Sequence, residues 1–432
     1  MKYFIYFIVI VAFLDTFSQL PIMSTFAQSL GGSPLIIGLV VGMYSFANMI
    51  GNIIAGAAVD KFGAKKILYI SMGLTSFIVL LYTVVQSGEQ LLVVRFMHGF
   101  SDGFLIPAAF TFLSKQTNSA RQGKAMALSG AAVGTAAIVG PAFSGIMKAT
   151  AGIEWVFITI SILMVLGTIV SLFFLPNNVS RKDTSRTQMM NKKDMIELLK
   201  SEPLLQAYIG AFTLMFSQGI VTYMLPVKVE ALALKASTTG MMLSVFGITA
   251  ILFFLLPTNR IYDRFNRSKL MLIGIAVMAF ALSLLGLFAT KGMLFIVMMI
   301  YGIGFAILFP SINALLVENT TDDKRGKAFG LFYAFFSLGV VAGSFTVGAI
   351  GASPSVSFVI GTAFLLTFAG MIYVRSKIKS KANSKVKSKA NSKVKSKANS
   401  KVKSKANSKV KSKANSKVKS KANSKVRKTM MG

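Results

Sequence analysis

The stretch Gly56–Lys66, GAAVDKFGAKK, decides the fold. It lies between two long apolar runs, so it reads as a short polar turn where two membrane helices reach water. Gly56 stands four residues before Asp60 and Gly63 three after it, with Lys61, Lys65 and Lys66 alongside. Each residue type has a physical job. Gly56 lets a second backbone come close. Gly63 can take the positive φ that ends one helix and starts the next. Asp60 can accept hydrogen bonds from the free N–H groups of a helix start.

The turn has an echo. Residues 259–269, NRIYDRFNRSK, repeat it around Asp263 and Arg264, with Asp263 standing 203 positions after Asp60. Asn259 and Asn266 replace the glycines, and Asn also tolerates the left-handed region. The same offset carries Gly99 to Gly302, Pro107 to Pro310, Gly123 to Gly326, Gly140 to Gly343 and Gly145 to Gly348. The chain is therefore two copies of one six-helix unit, a parallel internal repeat.

Twelve spans are expected, at about 3–26, 34–58, 67–86, 90–113, 124–149, 154–175, 203–228, 237–257, 268–289, 292–317, 327–350 and 354–375. Each has the roughly 20 residues needed to cross a hydrocarbon core of about 30 Å. The first run is read as a span rather than a signal peptide, since Asp15, Gln19 and Pro21 interrupt it and no small-residue cleavage site follows. The fold class is an all-α membrane protein of two six-helix bundles. Residues 1–176 form the first bundle, 177–202 a polar link, 203–375 the second bundle and 376–432 a disordered tail.

Composition agrees. Of 432 residues 54% are hydrophobic, including 36 Phe and 24 Met, a content that a soluble domain could not keep from aggregating. No cysteine is present, which excludes disulfides, thiol nucleophiles and Cys-ligated metals, and a single histidine argues against zinc. There is no phosphate-binding G-x-x-x-x-G-K-[ST] loop, so uphill movement would draw on an ion gradient. No cofactor and no enzymatic activity are expected.

The net charge of +33 is unevenly placed. From Arg375 onward there are 22 basic and no acidic residues, in which the unit SKANSKVK occurs six times, the last ending in Arg. Lipid headgroups are one partner for that tail, at roughly 1 kcal/mol per Lys near an anionic surface; a solvated bystander is the plainer reading. Nucleic acid is not expected, because no aromatic residue is interleaved for base stacking. Before the tail, loops on the side of the N-terminus hold 20 Lys and Arg and the opposite loops four, Lys148, Lys228, Lys235 and Lys291. The positive-inside rule then puts both termini in the cytoplasm of a plasma membrane, most simply a bacterial one.

Few charges fall at mid-membrane: Asp15 in the first span, and Arg95, His98 and Asp102 in the fourth. A buried charge costs roughly 2.5–3.5 kcal/mol even on the lenient insertion scale, so it needs a use or a partner. Arg95, His98 and Asp102 follow at i, i+3 and i+7, and Asp15 and Gln19 at i, i+4, so each set shares a helix face. Asp15 and Asp102 each lie about 18 Å along their spans at 1.5 Å per residue. A carboxylate that alternately takes and releases a proton, with Arg95 and His98 beside it, is the functional reading. Mutual neutralisation that merely orients the helix is the structural one.

These motifs resemble those of the major facilitator superfamily. GAAVDKFGAKK is similar to its loop between the second and third helices, with Lys61 and Ala64 departing from the usual basic residues. Arg95-Phe96-Met97-His98-Gly99-Phe100-Ser101-Asp102-Gly103 resembles its fourth-helix pattern, with His98 in place of a Gln; Asp102 lies outside that pattern. Gly134, Gly140, Pro141 and Gly145 resemble the fifth-helix motif of its drug:proton antiporter branch, where Ser144 replaces a Gly and the proline bends the helix. The second copy has Ser344 instead of proline.

The resemblance implies a secondary transporter working as a monomer on a small-molecule substrate and protons, with the Asp60 and Asp263 turns acting as gates. It also implies a central cavity between the first, fourth, seventh and tenth spans. Its expected wall is Phe17, Gln19, Phe26, Phe212, Phe216, Gln218, Thr222, Tyr223, Tyr301, Phe305 and Asn313, aromatic and poor in hydrogen-bonding groups. That wall suits a lipophilic or cationic solute better than a sugar. Import of a small nutrient, or a non-drug lipid translocase or sensor on the same body, remains the alternative.

Overall fold

The Ser33 side chain accepts from the Ile36 N–H at 3.4 Å, and Pro34 fills the first helical turn, so a helix begins there as capping chemistry dictates. It ends after 29 residues at Phe62, where Gly63 takes φ +88° and its N–H returns to Val59 O at 2.9 Å. A computed structural model describes residues 2–116, 122–176, 192–256 and 261–429. Among the described residues the elements are α1 (Lys2–Ser18), α2 (Met23–Ser29), α3 (Pro34–Phe62), α4 (Ala64–Leu81), α5 (Gly88–Asp102), α6 (Leu105–Gln116), α7 (Gln122–Thr150), α8 (Ile153–Phe173), α9 (Lys192–Lys200), α10 (Glu202–Ala231), α11 (Ala236–Leu255), α12 (Ile261–Arg264), α13 (Arg267–Leu287), α14 (Lys291–Glu318), α15 (Asp322–Ile350) and α16 (Pro354–Thr429). Eleven spans are long and apolar enough to cross a membrane, and the bent pair α1 and α2 makes a twelfth.

One span read as continuous is bent, and another, still a single span over Gly88–Ser114, is interrupted by two turn residues. In the first, α1 and α2 meet at 48° across the turn Gln19–Ile22. Pro21 lacks an N–H and its ring excludes the carbonyl four residues back, so α1 stops at Ser18. In the fourth, α5 ends at Asp102 and α6 begins at Leu105, and Pro107 stands four residues after Gly103. By contrast α7 runs through Pro141 as one helix.

Small residues set the packing. A Cβ on Gly103 would lie 2.6 Å from Asn48 O and 2.8 Å from Gly51 Cα, so α5 touches α3 backbone to backbone. Helix α7 is wedged between α1 and α11: a Cβ on Gly140 would meet Phe17 Cβ at 3.0 Å, and one on Gly145 would meet Gly240 Cα at 3.1 Å. The repeat recurs in space, because Gly343 abuts Phe216 of α10 while a Cβ on Gly348 would lie 3.1 Å from Gly38 Cα in α3. Close packing of this kind is the main glue between helices in lipid.

The approach expected at Gly56 falls elsewhere. A Cβ there, or on Gly326, would meet nothing within 4 Å. The halves instead meet at the opposite end of α3, at Gly38 and Gly42, and Tyr223 Oη donates to Pro34 O there at 2.9 Å. The Pro34 end is thus the tightly joined end of the bundle and the Gly63 end the looser one. At the Pro34 end Lys228, 4% exposed, donates from Nζ to Leu285 O, with Gly286 O at 3.4 Å, satisfying the last carbonyls of α13.

Within the link, α9 places Asp194 against Lys327 at 2.6 Å and Glu197 against Lys324 at 2.5 Å, tying it to the first two turns of α15. Residues Met1–Ile372 form one compact unit and Tyr373–Gly432 another. The tail, expected to be disordered, is helical through Thr429. Its repeat contains no Gly or Pro, and three of its eight residues are Lys, a good helix former.

Candidate functional site

The two helix breaks bring together a buried polar cluster from α1, α3, α5 and the turn after α4. Asp15 and His98 are fully buried, Asp102 is 2% exposed and Arg95 5%. His98 Nε2 stands 2.8 Å from Asp15 Oδ2, and Gln19 Nε2 donates to Asp15 Oδ1 at 2.7 Å. Tyr82 Oη lies 3.0 Å from His98 Nδ1. Arg95 donates from Nη1 to Gln19 Oε1 and from Nε to Val40 O at 3.1 Å, and its guanidinium sits 4.8 Å from the centre of the Tyr44 ring. Tyr44 donates its hydroxyl proton to Asp102 Oδ2, with Thr16 Oγ1 2.9 Å from the same hydroxyl and 3.5 Å from Oδ2. Asp102 Oδ1 is buried without a hydrogen-bond partner.

This wiring differs from the expected one. Arg95 bonds an amide and a backbone carbonyl rather than Asp102. The two carboxylates belong to separate chains of contacts: Asp15 with Gln19 and His98, Asp102 with Tyr44 and Thr16. Tyr44 and Tyr82 were not singled out in the sequence. Gly99 and Gly103 explain why Tyr44 reaches the site, since they let α5 lie directly on the α3 backbone at Tyr44 and Asn48.

The second half holds a neutral replica. The 203-residue offset carries Asp15 to Gln218, His98 to Tyr301, Gln19 to Thr222, Arg95 to Met298 and Asp102 to Phe305. Tyr301 Oη donates to Gln218 Oε1 at 3.3 Å and lies 2.8 Å from Ser217 Oγ, as His98 meets Asp15 in the first half. Phe246 packs on Tyr301 and Phe305, with ring centres 5.4 and 5.3 Å away, and Phe305 stacks on Phe309 at 5.5 Å. One half carries the ionisable groups and the other an uncharged aromatic counterpart.

The remaining expected wall residues scatter. Gln19 and Thr222 are buried and Gln218 is half-buried. Phe17 stacks on Phe13, and Phe26 packs on Phe157 in the interior of the first half. Phe212 and Phe216 pack against Phe368 of α16. Tyr223 bridges to Pro34, and Asn313 bonds Phe309 O of its own helix at 2.8 Å. Gly134 faces Ile251 of α11. Among the gate residues, Lys65 donates to Leu175 O at 2.7 Å, Lys61 and Lys66 lie near the Phe62 ring, and Asp60 is exposed. The side chains of Asp263 and Arg264 lie outside the described residues. At the Pro34 end a cavity of about 220 Å³ is lined from both halves by Pro21, Thr25, Lys148, Pro226, Glu230 and Thr239, among others.

Two like halves of six spans, with ionisable groups buried at broken helices, are the make-up of a secondary transporter. The chain belongs to the Major Facilitator Superfamily, whose model matches residues 5–230 and again 207–415. It is 26% identical over 337 residues to an uncharacterized MFS-type transporter of Methanocaldococcus jannaschii, covering 76% of this chain and 85% of that one. It is 25% identical over 322 residues to the multidrug resistance protein MdtG of Salmonella typhi, covering 73% and 78%. Among solved structures, the nucleoside transporter NupG superposes with TM-score 0.73 at 15% identity, over 87% of this chain and 99% of that chain. A bacterial homolog of the lysosomal transporter Spinster, inward-facing and unoccupied, gives 0.71 at 13% identity, over 87% and 96%. These structural likenesses carry the fold alone.

Proposed function

We propose that the chain is a proton-coupled exporter of lipophilic or cationic solutes, working by alternating access with its basic loops and both termini in the cytoplasm. The observation that carries this reading is Asp102, a membrane-buried carboxylate at a helix break with one oxygen left open. A carboxylate with a lone pair left unpaired can take up a proton and give it back when access alternates. Asp15, already bonded through both oxygens, is the less available of the pair. The half-buried aromatic faces of Phe246 and Phe305 suit an apolar cation, which an aromatic face attracts by roughly 0.5–2 kcal/mol.

The relatives named multidrug resistance protein MdtG support a drug as solute, and the fifth-span glycines, wedged between α1 and α11, support the antiporter resemblance. Joining at the Pro34 end with a looser Gly63 end describes a state whose access is toward the basic loops. The test is export of a fluorescent lipophilic cation from vesicles holding the purified protein, with and without a pH gradient. Export that needs the gradient is expected. Gradient-independent movement, or accumulation of a nutrient together with protons, would overturn the reading.

A further inference from the structure

The bond pattern around His98 leaves little freedom in where its proton lies. A guanidinium can only donate, so the Gln19 atom facing Arg95 must be the carbonyl oxygen. The Gln19 amide nitrogen therefore points the other way, 2.7 Å from Asp15 Oδ1 and 3.3 Å from His98 Nδ1. That nitrogen has only hydrogens to offer. A proton on His98 Nδ1 would set N–H against the Gln19 N–H, so this contact makes Nδ1 an acceptor, and the Tyr82 hydroxyl at 3.0 Å, able to donate or accept, fits by donating. The ring proton then lies on Nε2, donated to Asp15 Oδ2 at 2.8 Å.

From this we infer that Gln19 is the positioning residue of the cluster: it transmits the fixed polarity of Arg95 to His98 and holds the imidazole neutral, as the Nε2–H tautomer. The inference rests on the reading that this cluster carries the proton, and it assigns the roles within it. His98 serves as a donor that occupies Asp15 rather than as a relay, and Gln19 holds the ring rather than the solute. An arriving proton finds both Asp15 oxygens engaged and His98 Nδ1 covered, and the open lone pairs are those of Asp102 Oδ1. Gln19 also stands at the first residue of the turn between α1 and α2, so the cluster and the break in the first span share one side chain. The titratable and charged groups around His98 are Asp15 on α1, Tyr44 on α3 with ring centres 5.3 Å apart, Tyr82 after α4, and Arg95 and Asp102 on its own helix.

The test uses the fact that the chain has one histidine. Full-length protein purified without a histidine tag, labelled with ¹⁵N-histidine and placed in lipid, shows His98 alone in the nitrogen spectrum. Two well-separated ring signals are expected at neutral pH, the protonated one assigned to Nε2. An Nδ1–H tautomer, or an imidazolium at neutral pH, would overturn the inference without recourse to any variant. Gln19→Leu removes the amide while keeping the bulk. Its signals are expected to move toward the tautomer average. An unchanged spectrum in Gln19→Leu would also overturn the inference. If the spectra behave as expected while export ignores the pH gradient, the positioning stands and the proton-coupling reading fails.

Discussion

Gly38 offers a direct perturbation of the joined end. A Cβ added there would stand 2.5 Å from Ser344 O and 3.1 Å from Gly348 Cα, all backbone, so no side chain can turn aside. A comfortable C···O contact is about 3.3 Å, so α3 and α15 would have to separate by roughly 0.8 Å. Overpacking of this size costs about 1–3 kcal/mol. The cost falls on the state in which this end is closed, and a shift of about 1–3 kcal/mol between two conformations changes their ratio roughly 5- to 150-fold. Because the chain has no cysteine, one can be introduced as a reporter. Thr239, 1% exposed, lines the cavity at the Pro34 end. In a Thr239→Cys background, Gly38→Ala should raise the labelling rate by a membrane-impermeant maleimide by about 5-fold or more. Equal rates with and without Gly38→Ala, at equal membrane yield, would show that this contact does not control access.

Three further outcomes are expected. Tags at residue 1 and residue 432 should both be unreachable from outside intact cells; labelling of either would contradict the orientation drawn from the basic loops. Deleting residues 380–432 should leave insertion and export intact and alter lipid association at most, so loss of export at normal expression would make the tail a working part. Reversing Lys327 to Glu should lower stability by no more than about 1 kcal/mol, the range for partly exposed pairs, with Asp194→Lys restoring the loss. A larger effect that the swap does not restore would mean that Lys327 acts elsewhere.

The repeat, the twelve spans and the mid-membrane charges were all legible in the sequence, because hydropathy and a constant offset depend on residue type alone. The i, i+3, i+7 spacing of Arg95, His98 and Asp102 likewise put three groups on one face before any coordinates. What the sequence hid was connection. Pro21 and Pro107 barely change the hydropathy of their spans, so the breaks at Gln19 and Gly103 passed as continuous helix. Tyr44 and Tyr82 are two of 11 tyrosines, and only the backbone contact between α3 and α5 shows which hydroxyl reaches a carboxylate. Arg95 was expected to offset Asp102 along the helix, yet its guanidinium turns to the Gln19 amide. The neutral replica around Tyr301 follows from the same offset as the turns, but its meaning required seeing Tyr301 and Gln218 in contact. The Gly56 approach depends on which end of the bundle is closed, a property of conformational state rather than of sequence.

The central claim is that buried carboxylates in the first half carry the coupling proton. It is tested most directly by export of a lipophilic cation in Asp102→Asn, Asp15→Asn and the double variant, each measured while the pH on the side of the Pro34 end is lowered. Acid on that side supplies protons to the alternate state, in which the Pro34 end is open, so wild-type export should rise as that pH falls. Asp102→Asn should lose most of this dependence, Asp15→Asn less, and the double variant all of it, with cation binding retained. A double variant that still exports at the wild-type rate under the gradient would contradict the account.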